Sequence, residues 1–171
     1  SSEATAPWGG MTPIGWIVYG TLLVLGIALR WYALDMRPIH HDESLHIMYG
    51  FYPFDHPEMH FYRYDPMLHG PFMYNIYPIF YNTLGVSLWA ARAPLAVLGT
   101  LMLAVPFFFR RYFSQWGLIG ITGALALSPS LIYWSRFFRE DYWALLGCGI
   151  MLCGFFLRSM PWRAVAVGLG I

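Results

Sequence analysis

Apolar residues in this chain run in long blocks joined by short polar stretches, with one long interruption near the start. Residues 11–34 form the first block, and Pro13 stands at its beginning, where a missing N–H costs no helical hydrogen bond. The block is long enough for a transmembrane helix. Further blocks at 93–109, 117–133 and 142–157 predict three more spans. Residues 164–171 begin another apolar run that stops short of a bilayer's width, so the chain is expected to continue beyond it or to lose order there. The pattern predicts an all-α polytopic transmembrane protein, about four complete spans plus the start of a fifth, with a long external first loop bearing interfacial helices.

That loop occupies residues 35–92 and is polar and aromatic, its turns marked by Pro53, Pro57, Pro66 and Pro71 because the residue before a proline is pushed away from helix. Residues 43–51 leave room for about two helical turns. Residues 71–88 are ambiguous: long enough to span, yet carrying Asn75, Asn82, Tyr74, Tyr77 and Tyr81. If this piece lies in the interface, the pairs Arg110-Arg111 and Arg158 with Arg163 share the side of the N-terminal lead 1–10, which the positive-inside rule makes cytoplasmic. The first loop and the second loop, 134–141, then share the external side of the cytoplasmic membrane. If it spans, the two loops are separated by the bilayer. The interfacial arrangement satisfies the charge rule and is the one expected. The lead has no basic region of the kind that opens a cleaved signal.

Composition agrees with a membrane protein, since 58% of residues are hydrophobic and 11% charged, against roughly 25% charged in soluble domains. The cations are all arginine and the net charge is +1, which gives no reason to expect nucleic acid as a partner. Cys148 and Cys153 share one apolar block and read as small apolar side chains. All six histidines (His40, His41, His46, His56, His60, His69) fall in the first loop, so haem held between spans is not expected, and neither is a nucleotide cofactor.

The chemistry concentrates in His40-His41-Asp42-Glu43-Ser44-Leu45-His46. Charge in lipid costs several kcal/mol per group, so such a cluster belongs in water or a lined cavity. Adjacent carboxylates Asp42 and Glu43 can accept a proton from an attacking hydroxyl or hold a hard divalent cation; the plainer alternative is that Asp42 caps a short helix. Glu140-Asp141 form a second acidic pair before a span, where they would also suit the helix dipole and pair with Arg136 and Arg139. Those arginines are candidates to hold a phosphate. Asp42, Glu140 and His46 are candidate ligands for Mg, Mn or Zn, Asp42 and His46 having i, i+4 spacing, although a dedicated zinc site is not expected. Arg92 opens a span and could meet substrate, as could His69, whose Asp65-to-Pro71 surroundings otherwise read as a rigid turn. Arg30, one turn inside the first span, is expected to snorkel or to face a buried acid. Trp89, Tyr133 and Trp134 suit interfacial anchors.

Several of these motifs, in this order, resemble the GT-C superfamily of membrane glycosyltransferases, which includes protein O-mannosyltransferases and aminoarabinose transferases. Arg92-Ala93-Pro94 at the start of a span belongs to this wider likeness, and His41-Asp42-Glu43-Ser44, Tyr64-Asp65-Pro66, His69-Gly70-Pro71, Ser128-Pro129 and Ser135-Arg136-Phe137 are most similar to a prokaryotic mannosyltransferase-like family named for association with flippase activity. The likeness covers roughly residues 30–157. It implies a polyprenyl-phosphate sugar donor and inverting transfer to a hydroxyl outside the cytoplasmic membrane. By position, Asp42 is the base or metal-adjacent carboxylate, Glu43 its neighbour, Glu140 or Asp141 the second-loop acid, and Arg136 and Arg139 the phosphate-facing cations. The rival expectation is a non-catalytic subunit of a larger membrane complex, or an accessory to translocation of lipid-linked sugar.

Overall fold

The computed structural model describes residues 10–56, 71–139 and 141–155, with Pro161, Val165 and Gly168, and among them every regular element is helical. Helix α1 (Pro13–Trp31) is capped by Thr12, whose hydroxyl accepts from the Gly15 N–H at 3.1 Å. After a short turn come α2 (His41–Asp55) and α3 (Pro71–Leu84), then α4 (Leu88–Met102) and the short α5 (Val105–Phe108). A 3₁₀ turn, Arg110–Tyr112, leads to α6 (Gln115–Leu127), α7 (Pro129–Trp134) and α8 (Asp141–Phe155).

Two helical stretches, Pro13–Trp31 and Leu88–Phe108, are long and apolar enough to cross a membrane, while Gln115–Leu127 and Asp141–Gly154 are apolar but shorter. The second of these begins at Leu88, before the expected 93, because Ser87 caps it by accepting from the Ala90 N–H at 3.1 Å. Arg92 is therefore inside the helix and not at its edge. The block 117–133 is divided. Pro129 has no N–H to offer the Leu125 carbonyl, and Ser128 caps a new helix by accepting from the Leu131 N–H at 3.4 Å.

Arg30 supplies the missing donor. Its Nη2 donates to the Leu125 carbonyl at 2.9 Å, and its Nη1 to Gly26 O at 2.9 Å and Ala126 O at 3.4 Å. The expected snorkelling, or pairing with a buried acid, is thus replaced by a guanidinium that closes the C-terminus of α6, where the carbonyls carry partial negative charge. Arg30 is fully buried.

The helices' directions follow from such contacts. Thr12 N–H donates to Gln115 Oε1 at 3.0 Å, near the start of α6, and Arg30 reaches its end, so α1 and α6 are parallel. Trp31 Nε1 donates to Thr100 Oγ1 at 3.0 Å and Arg92 Nη1 to Leu34 O at 2.9 Å, so α4 runs against α1. The segment between α1 and α4 consequently leaves and returns at one end of the bundle. Within it, α3 has 14 residues with Pro78 inside, and rises about 21 Å at 1.5 Å per residue, less than the ~30 Å hydrocarbon core. Its buried face, Met73, Tyr74, Tyr77 and Tyr81, packs with α2, α4 and Phe138.

Close approach depends on small residues. A Cβ on Gly99 would stand 2.5 Å from Ser135 Cβ and 3.0 Å from Arg30 Nε. Gly99→Ala is expected to cost about 1–3 kcal/mol through overpacking and to lower the melting temperature followed by tryptophan fluorescence in detergent. Gly20→Ala, with nothing within 4 Å of its added carbon, serves as the control that leaves it unchanged.

Candidate functional site

The return of the chain to one end of the bundle brings the first turn of α2 against the link between α7 and α8. Asp42 does not cap α2. That role falls to His40, whose Nδ1 accepts from the Asp42 N–H at 3.3 Å while Glu43 Oε2 accepts from the His40 N–H at 3.5 Å, the reciprocal arrangement of a capping box. The Asp42 carboxylate is left about half exposed (48%).

Glu43 is turned the other way and is fully buried. Arg92 grips it in a fork, Nε to Oε1 and Nη2 to Oε2, both at 2.8 Å. Arg37 Nη2 adds contacts at 3.1 and 2.9 Å, and the Phe138 N–H donates to Oε1 at 3.3 Å. The remaining donors of Arg92 go to the carbonyls of Leu34, Arg37 and Pro38 at 2.9, 3.0 and 3.4 Å. One carboxylate thus ties the end of α1, the start of α2, α4 and the α7–α8 link together. Glu43 was expected among the catalytic acids and Arg92 among the substrate contacts. Both are sequestered, with their hydrogen-bonding capacity taken by each other, by Arg37 and by backbone.

Burial alone would push the Glu43 carboxyl up, but the Arg92 hydrogen bonds, the Arg92 and Arg37 charges and the Phe138 N–H together outweigh it and hold it below its ordinary 4.5. A depressed folded pKa contributes stability that is complete above the unfolded value and lost as pH falls through the folded one. Melting temperature in detergent should therefore drop below about pH 4.3, the unfolded Glu value, and in Glu43→Gln this part of the acid loss should be gone, leaving a lower and flatter profile.

Arg139 joins the two loops. Its Nε lies 3.3 Å from Asp141 Oδ2 and its Nη1 4.0 Å from Asp42 Oδ2. The two carboxylates, from residues far apart in sequence, thus share one guanidinium. Arg136 bends back to the end of α1, donating to Ala33 O at 2.7 Å and Leu29 O at 3.4 Å. Ala33 sits at φ 48°, a left-handed conformation that aims this carbonyl at the cost of strain. The Arg136 guanidinium is held below its ordinary pKa, chiefly by burial and then by the charges of Arg37 and Arg92. Arg37 itself lies 5.0 Å from the ring centroids of both Tyr133 and Phe137, and donates to Tyr133 Oη at 3.3 Å.

His46 does not stand with Asp42 on an open face. It is buried, its Nδ1 2.7 Å from Tyr74 Oη, and it stacks with Tyr74 and Phe138 at 6.1 and 6.4 Å. Among the described residues, no group of three His, Cys, Asp or Glu side chains is placed to hold a metal ion. Glu140 and His69 lie outside the described residues, as does His60, which stands at i, i+4 from His56. Sequence reasoning passed over Arg37 and the Phe138 N–H. The only signal for Arg37 was a cation in a turn just ahead of two acids.

No family model, curated protein or solved structure matches this chain.

Proposed function

We propose that this chain is a GT-C-like membrane glycosyltransferase, moving a sugar from a polyprenyl-phosphate donor to an acceptor hydroxyl at the external face of the cytoplasmic membrane. In this reading α1, α4 with α5, α6 with α7, and α8 are four spans, and residues 164 onward start a fifth. The N-terminus and Arg110-Arg111 are cytoplasmic by the positive-inside rule, and α2 and α3 lie in the outer interface. The observation that carries the proposal is the meeting of Asp42 and Asp141 on Arg139 at 4.0 and 3.3 Å.

The chemistry suits that arrangement. A hydroxyl nucleophile must lose its proton as it attacks, and a half-exposed carboxylate at a fixed backbone position can take it. The departing phosphate needs its charge balanced, for which Arg139 is at hand; Arg136, bonded to the end of α1, is not carried forward. Asp42 and Asp141 offer hard oxygen ligands for a divalent cation such as Mg or Mn, with Glu140 as a further candidate. His46, bound to Tyr74, is not carried forward as a ligand. Membranes supplied with a polyprenyl-phosphate sugar and a hydroxyl acceptor test the proposal by product formation that depends on Asp42 and Asp141.

A second reading, a non-catalytic subunit or an accessory to lipid-linked sugar translocation, is favoured by the bare side of α1, where Ile14, Ile17 and Val24 are each about two-thirds exposed (67–69%) and could meet lipid or a neighbouring subunit. Its mark is co-purification with membrane partners that survives loss of both carboxylates.

A further inference from the structure

Glu43 and Arg139 sit at the same end of the bundle but are held in opposite ways. The Glu43–Arg92 fork is made at 2.8 Å between side chains with no exposed surface. Arg139 meets its acids at 3.3 and 4.0 Å, and the three side chains are 35%, 48% and 53% exposed for Arg139, Asp42 and Asp141. Solvated pairs at such separations contribute little. A phosphate, which accepts a bidentate guanidinium through strong charge-assisted bonds, is the better partner.

The backbone before Arg139 is pinned, since the Phe138 N–H is bonded to Glu43 and Arg136 is bonded to the end of α1. Further cations lie just behind Arg139: Arg37 and Arg92 are bonded to the Glu43 carboxylate, and Arg136, which feels both of their charges, is bonded to the end of α1. An incoming anion would be drawn to this end of the molecule.

We propose that Arg139 is a transferable counterion: at rest it neutralises Asp42 and Asp141, and a bound phosphate takes its guanidinium over, leaving the two carboxylates without their cation. The base and any cation-binding oxygens then become available only when an anionic ligand is seated. Phosphate binding and carboxylate reactivity are coupled, and the coupling is reciprocal. This rests on the proposed function for its purpose but not for its test, which needs no sugar transfer. Transfer without the coupling would leave that reading standing and remove this one, and coupling without transfer would do the reverse.

The full chain in nanodiscs is treated with a water-soluble carbodiimide and glycine ethyl ester, and amidation is mapped by peptide mass spectrometry. Asp35 and Asp55, both exposed, are the internal references and correct for reagent consumed by phosphate. Addition of dodecyl phosphate is expected to raise labelling of Asp42 and Asp141 several-fold relative to those references. In Arg139→Gln, labelling should start high and not respond. An unchanged or lowered ratio in the wild type, or a response that persists in Arg139→Gln, overturns the proposal. Inorganic phosphate forms the second arm: an equal rise at equal concentration assigns recognition to the phosphate alone, and a rise only with dodecyl phosphate assigns it to a lipid-borne one. If Arg139→Gln does not fold, protection of Arg139 from phenylglyoxal by dodecyl phosphate in the wild type reports the same transfer, and absence of protection contradicts it.

Discussion

Arg92→Leu is expected to destabilise the protein by about 3–5 kcal/mol, the cost of leaving a buried charge without its partner. Leucine removes both arms of the fork on Glu43 and the donors to the Leu34, Arg37 and Pro38 carbonyls, while Arg37, itself 26% exposed, cannot replace them from its side of the carboxylate. The effect should be a large fall in melting temperature. It should also be specific in its coupling: Glu43→Leu combined with Arg92→Leu should lose less than the sum of the single changes, because the second substitution removes the stranded charge created by the first. Additive losses would mean that the pair is not the tie between loop and bundle.

The other large effect is on activity. Asp42→Asn and Asp141→Asn are each expected to lower the rate of sugar transfer about 10²–10⁴-fold, the range typical of a lost acid–base group. Both side chains are about half exposed and neither belongs to the buried knot, so the stability of each variant should stay within about 0.5 kcal/mol of wild type, as for most surface changes. This separates them from Glu43 and Arg92, whose loss would reduce activity by unfolding the site. Equal transfer by wild type and both asparagine variants would remove the catalytic assignment, and the accessory role would become the better reading.

How much of this was visible in the sequence depends on the kind of interaction. The apolar blocks announced α1 and α8 to within a few residues, and the stretch Leu88–Phe108 with its start placed five residues late, because burial of a continuous apolar run is a local property. The break inside 117–133 was also written locally, in Ser128-Pro129, yet the block's hydropathy hides it. The partners of the arginines were not legible. Arg30 answers a carbonyl freed by a proline ninety-nine positions later, and Glu43 adds Arg92 and the Phe138 N–H, both far along the chain, to its near neighbour Arg37, choices made only when the helices pack. The acidic cluster at Asp42-Glu43 was found as a unit, whereas the structure splits it: a helix turns about 100° per residue, so neighbours at its first turn face different surroundings, one buried and one in solvent.

The central claim is that residues 42 and 141 meet at one end of the bundle. With Cys148 and Cys153 replaced by alanine, cysteines introduced as Asp42→Cys and Asp141→Cys should be joined by a short bifunctional thiol reagent in intact membranes, and both should react with an impermeant maleimide from the same side. No cross-link, with the two cysteines labelled from opposite sides, would contradict the account.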